Sequence, residues 1–241
     1  MPWDFWIIIA VLGVFLPWRG RARLQKLLSR PRLQSRDRIS LYLSTVAFQW
    51  SMLIITAWRS WARGLNATEL GLAAPRYPLL VAAAVTGSVI IWVLQWFNLR
   101  RIGQSAEGPK GFFKVLAEGI LPRSQKELSI YIVLSVTAGI CEEFMYRGFA
   151  IAAFPRAGLN LWLAVGASSI LFAAAHLYQG AGGIAGTFIV GIVFSLGRVL
   201  LGSIYPPIFW HSTADSVAGI AGPRFLLQTS GPDKNSSSAK P

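Results

Sequence analysis

The chain has one cysteine, two histidines and ten acidic residues in a total of 241. With Cys141 alone, no intrachain disulfide can form, and the redox compartment is unmarked. Only 14% of residues are charged against 54% hydrophobic, which excludes an ordinary soluble domain. Acids are outnumbered by 23 basic residues, for a formal charge of +13. No nucleic-acid reader motif accompanies that excess, so it is assigned to membrane topology and anionic headgroups rather than to nucleic acid. The N-terminal Met-Pro-Trp-Asp lacks the basic region of a cleaved signal peptide, so the first apolar stretch is expected to remain as a span. There is no obvious internal repeat or soluble domain, and no signal of oligomeric state.

What the chain has in quantity is long apolar runs. A helical crossing needs about 20 such residues, and seven stretches approach this: 3–18, 39–58, 79–97, 128–149, 159–177, 183–201 and 204–221. The pattern predicts an all-α, polytopic transmembrane helix bundle of about seven spans. Tryptophans 3, 6, 18, 58, 61, 92 and 96 lie near span ends, as in an interfacial belt. Arg19, Arg21, Arg23, Lys26, Arg30, Arg32, Arg36 and Arg38 follow the first span, and Arg100, Arg101, Lys110, Lys114, Arg123 and Lys126 follow the third. Arg224, Lys234 and Lys240 share that side, whereas the other has only Arg59, Arg63, Arg76 and Arg156. The positive-inside rule then expects the N-terminus outside and the C-terminus in the cytoplasm. Residues 111–121 alternate apolar and charged positions at helical spacing and fit either an interfacial helix or a plain loop. Asn66-Ala67-Thr68 and Asn235-Ser236-Ser237 match a glycosylation sequon, a pattern frequent by chance. The expected organisation is N-terminal spans with basic loops over 1–127, a core over 128–222, and a polar disordered tail over 223–241.

Chemistry concentrates in the core. Glu142, Glu143 and Asp215 fall within spans, and so do both histidines, His176 and His211. An ionisable group in a span is expensive and therefore a functional candidate. The groups come in pairs four residues apart, Glu143 with Arg147, Phe172 with His176 and His211 with Asp215, which puts each pair on one helix face. Glu143 and Arg147 can form an ion pair that fixes the helix. Glu142 points about 100° away, leaving it free to act as general base on water. His176 would share that water, while His211 and Asp215 would face the oxyanion of an attacked amide. The same residues also suit a structural polar network or a proton path in a transporter. A thiol mechanism pairing Cys141 with His176 is a further alternative. Gly182 and Gly186 form a GxxxG pattern, continued by Gly191 and Ser195, that permits close helix approach. Arg198 is expected either to snorkel or to compensate a buried acid.

Cys-Glu-Glu-Phe-Met-Tyr-Arg-Gly at 141–148 resembles the EExxxR signature of the CPBP intramembrane proteases, the bacterial relatives of the type II CAAX prenyl endoprotease, a group that includes the Abi proteins. Phe172 to His176 resembles the family's FxxxH motif, and His211 to Asp215 its HxxxN or HxxxD motif, so the motifs fall on spans 4, 5 and 7. The resemblance covers about residues 128–220. It implies an intramembrane endopeptidase in the bacterial cell membrane acting on a peptide or membrane-protein substrate. Glu142 and His176 would activate water, His211 and Asp215 would support the oxyanion, and Glu143, Arg147 and Phe172 would support the site. An ionised Asp215, in place of the commoner Asn, would repel an oxyanion, so it must be protonated, turned to His211, or given another role. Glu142, His176 and His211 are also the candidate ligands for a catalytic zinc, although the motifs equally allow a metal-free reaction. Relatives associated with bacteriocin immunity make a non-proteolytic membrane scaffold the alternative. One difficulty is depth: from the span limits, His176 lies roughly 12 Å from the level of Glu142, so span five must be shifted or kinked if they share a site.

Overall fold

The computed structural model describes residues 1–30, 33–104 and 111–227, except for the side chains of 111–113. Every regular element among them is helical. In chain order they are α1 (Trp3–Leu28), α2 (Ser35–Ala62), α3 (Tyr77–Gln104), α4 (Gly111–Ile120), α5 (Gln125–Ala157), α6 (Leu161–Ala175), α7 (Leu177–Leu201) and α8 (Tyr205–Leu226). Five of them, α1, α2, α3, α5 and α7, are long and apolar enough to cross a membrane. The shorter apolar helix α6 and the 22-residue α8, interrupted by His211, Ser212, Thr213 and Asp215, complete the seven expected stretches. Helix α4 occupies the segment for which an interfacial helix was one of two expectations.

Burial is inverted relative to a water-soluble protein. Val14, Trp18, Ile54, Leu94, Ile189 and Leu200 are each more than 60% exposed, while Asp4, Arg38, Glu127, Glu143 and Arg147 are at most 5% exposed. A surface of that kind is compatible with hydrocarbon, and the polar groups inside find partners in one another. The chain is an integral membrane protein.

Several spans overrun the limits expected from hydropathy, and α2 and α5 begin on a capping signal rather than on their first apolar residue. Helix α1 continues past Trp18 to Leu28, so Arg19, Arg21, Arg23 and Lys26 are helical rather than in a loop, with Leu24 and Leu27 buried beside them. Helix α2 begins at Ser35 through a reciprocal cap in which Asp37 accepts from the Gln34 N–H at 3.0 Å. Helix α5 begins after Ser124, whose hydroxyl accepts from the Glu127 N–H at 3.3 Å, and runs to Ala157, where Gly158 turns at φ +89°. Helix α8 carries Pro223 and ends at Leu226, inside the stretch expected to be tail. Residues 228–241, with Lys234, Lys240 and the second sequon, lie outside the described residues, as do Arg32 and Lys110. At the first sequon, Asn66 is occupied as a turn cap, its Oδ1 accepting from the Glu69 N–H at 2.9 Å.

Two close crossings bring α8 to the core. A Cβ on Gly139 of α5 would lie 2.8 Å from the Ile208 carbonyl and run into Ser212, so only glycine lets α8 pass here, one turn from His211. Trp210 sits in a slot between Gly87 of α3 and Gly197 of α7, and its indole N–H donates to the Ala83 carbonyl at 2.9 Å. The GxxxG expectation is corrected in part. Gly182 and Gly186 face open space, whereas Gly191 packs on Ser169 of α6.

Candidate active site

Helix α5 changes character at its centre: it is α-helical through Glu142 and becomes a π-helix over Glu143–Ala150. π-segments are rare and frequent at functional sites, because the wider turn releases backbone carbonyls for other partners. Those carbonyls are taken up from neighbouring helices. Ser168 donates to the Tyr146 carbonyl at 2.6 Å, and Arg198 donates from Nε to that of Arg147 at 3.3 Å. Arg198 also donates to the Glu69 carbonyl. It therefore neither snorkels nor compensates an acid; it braces the distorted turn.

The two adjacent glutamates have different surroundings. Glu143 is fully buried, and its Oε1 accepts from Arg147 Nη1 at 2.9 Å and from His211 Nδ1 at 2.7 Å. The Arg147 guanidinium lies 4.1 Å over the Phe172 ring and reaches the Gly191 carbonyl at 3.4 Å. This is a compensated charge pair held on an aromatic face. Glu142 has no arginine or lysine against it: its Oε1 accepts from Gln49 Nε2 at 2.6 Å, and its Oε2 is buried without a hydrogen-bond partner. That free oxygen stands 4.0 Å from His211 Nε2. Asp215, 41% exposed at its side chain, approaches the same nitrogen at 3.7 Å, so of the three routes considered for it the side chain is turned toward His211.

His176 is the residue that ends α6. Its Nδ1 is 2.8 Å from the Phe172 carbonyl, which can only accept, so Nδ1 carries the proton. In the neutral ring Nε2 is then the lone-pair nitrogen. Phe172 packs on both imidazoles, with ring centroids 4.8 Å from His176 and 5.7 Å from His211. The depth difference expected from the span limits does not keep the two apart: α6 ends at Ala175, and the chain turns at once through Leu177–Gln179, the first turn of α7. Glu142 and His176 then line one cavity of about 220 Å³, together with Gln49, Tyr146 and Tyr178, and with Arg19 and Arg23 from the basic extension of α1.

Gln49 and Tyr146, both in this cavity, were given no role by sequence reasoning. Gln49 was visible only as an isolated amide in an apolar span. Tyr146 stands four residues after Glu142 and is 1% exposed, with a hydroxyl that has no partner among the described residues. Cys141, fully buried in the main apolar core with Phe5 and Phe149, does not line the cavity. Among the described residues no group of three His, Cys, Asp or Glu side chains is arranged to hold a metal ion. Both imidazoles have Nδ1 engaged and Nε2 free, as histidine ligands do, but zinc needs its ligands within about 2.3 Å of one point, and among the described residues no such point is shared by three side chains. The set Glu142, His176 and His211 does not fit a zinc, and no step is derived through one.

A polytopic helical membrane protein with a buried Glu-Glu-Arg, His and His-Asp cluster is the class that fold and site define. Residues 124–217, about two fifths of the chain, match the family described as type II CAAX prenyl endopeptidase Rce1-like. All the motif residues fall inside it, whereas Gln49 falls outside. An uncharacterized 24.3 kDa protein of Escherichia coli is 30% identical over 93 residues, covering 38% of this chain and 43% of that protein. The alignment thus spans less than half of that relative's length. No solved structure matches the chain.

Proposed function

We propose that the chain is an intramembrane endopeptidase in which Glu142 and His176 activate water. The observation that carries this is the state of Glu142: one oxygen held by a neutral amide, the other unpartnered and facing a cavity shared with His176. A water between them would lose its proton to the Glu142 carboxylate as its oxygen attacks the amide carbon of the substrate. His211, oriented through Nδ1 by Glu143, turns Nε2 toward the cluster, where its N–H would donate to the developing oxyanion. Asp215 approaches the same Nε2 at 3.7 Å and would stabilise the charged imidazole. Collapse of the tetrahedral intermediate breaks the C–N bond, and the proton on Glu142 passes to the leaving nitrogen, which restores the carboxylate. Glu143, Arg147 and Phe172 keep their places as support.

The cavity is lined by Arg19 and Arg23, which share an end of the bundle with the other basic connections. The positive-inside rule sets this end in the cytoplasm and the N-terminus outside, in a bacterial inner membrane on the family reading. The substrate is a peptide or membrane protein reached from that side. The test compares membrane peptides of wild-type cells with those of Glu142→Gln and His176→Ala cells. Substrates accumulate in both variants if the reading is right. Unchanged peptides and phenotype in both, with the protein still in the membrane, would replace it with the scaffold or immunity-type reading.

A further inference from the structure

The family match begins at residue 124, and nothing within it hydrogen-bonds the Glu142 carboxylate. The one hydrogen bond this carboxylate makes among the described residues comes from α2. We infer that Gln49 is a positioning residue for Glu142, fixing one carboxylate oxygen so that the other is presented to the cavity. This rests on the reading of Glu142 as the base.

Several contacts hold Gln49 at this place. Helices α2 and α5 run side by side, joined along their length by Arg38 with Glu127 at 2.7 Å, Tyr42 with Tyr131 ring to ring at 5.3 Å, and Trp50 Nε1 to Thr137 Oγ1 at 3.3 Å. The contact of Gln49 with Glu142 is the last rung of that ladder. Along α2, Tyr42, Thr45, Gln49 and Met52 recur at three- and four-residue spacing, so they form one stripe, and all four line the cavity. Gln49 is 9% exposed, and its amide direction is therefore set by packing rather than by solvent.

The chemistry favours an amide at this point. A glutamate side chain has three rotatable bonds, and a general base must meet its proton within hydrogen-bond reach. A bond to a carboxylate is charge-assisted and short, as at 2.6 Å here, so it is strong enough to select one rotamer. Arginine would do the same but would also compensate the charge, as Arg147 does for Glu143. Glutamine orients the carboxylate and leaves its negative charge intact. Its own Oε1, the Glu142 Oε2 and the Tyr146 hydroxyl have no hydrogen-bond partner among the described residues, and all three residues line the cavity. A water and an amide substrate in that cavity would supply partners for such atoms.

Two variants and two readouts test this. Gln49→Met keeps the length of the side chain without a donor, and Gln49→Asn withdraws the amide by one methylene. Turnover is measured on a membrane peptide that accumulates in Glu142→Gln cells. Independently of any substrate, the carboxylate stretch of Glu142 is read by infrared spectroscopy as the band lost on Glu142→Gln. Misplacement of a catalytic group by about 1 Å lowers rate by roughly 100-fold, so kcat should fall about 10- to 100-fold in both variants. KM should stay within about twofold, and the infrared band should move. Wild-type kcat in both variants, or a fall in kcat with an unmoved band, would overturn the inference. A moved band in a protein that cleaves no peptide would instead sink the peptidase reading and leave the placement of Gln49 standing.

Discussion

Glu127 and Glu142 sit on the same helix and are both reached from α2, but by opposite kinds of side chain. Near the start of α5, Arg38 grips Glu127 through Nε at 2.7 Å and Nη2 at 3.0 Å, and the Arg123 N–H adds a third bond at 2.8 Å. At the centre, Gln49 gives Glu142 one hydrogen and no charge. The first arrangement neutralises and satisfies its carboxylate, which suits a structural bolt. The second leaves a buried carboxylate short of partners, which is what the proposed general base requires. Glu143, next to Glu142, belongs with Glu127 in kind, since Arg147 and His211 share its load.

Substitutions can break that contrast. The largest effect is expected at Glu142→Gln, which removes a general base while keeping its shape. Peptide cleavage should fall by about 10³-fold or more, with unfolding in detergent unchanged. Arg147→Met strands Glu143 in the core, and the folded state should lose about 3–5 kcal/mol, read as a lower unfolding midpoint. Arg38→Met removes two of the charge-assisted bonds to Glu127 but spares the one from the Arg123 amide, so a smaller loss of about 2–3 kcal/mol is expected in the same assay. The smallest effect belongs to Glu69→Gln, which removes the charge that pairs with Arg156 but keeps an oxygen for the Asn66 N–H. The pair spans 3.4 Å with both side chains partly exposed, and its loss should change stability by under about 1 kcal/mol.

Much of this contrast was legible in the sequence. Four-residue spacing alone paired Glu143 with Arg147 and His211 with Asp215, and the helical offset separated Glu142 from its neighbour. Spacing within one helix cannot say what comes from another. Gln49 was therefore missed, although an amide amid Ala47, Phe48, Trp50 and Met52 was itself a signal, because a polar group in an apolar span needs a partner. Hydropathy also misplaced the helix ends, since caps such as Ser124 and Gln34 are polar and lie outside the apolar runs. The GxxxG reading failed at Gly182 and Gly186 for a related reason: small residues permit an approach but do not supply the neighbour. The π-segment left no periodic trace, since all eight of its residues are buried and every face is occupied.

That segment accommodates one residue that an ordinary helix would not. A π-turn holds one residue more than an α-turn, so deletion of a single residue between Glu143 and Ala150 would let the helix relax to ordinary pitch with the remainder of α5 kept near its present face. The change would be local: the carbonyls of Tyr146 and Arg147, now taken by Ser168 and Arg198, would return to the helix. A gap between Glu143 and Arg147 would also break their four-residue step and with it the ion pair, so it should be tolerated less well than a gap after Arg147.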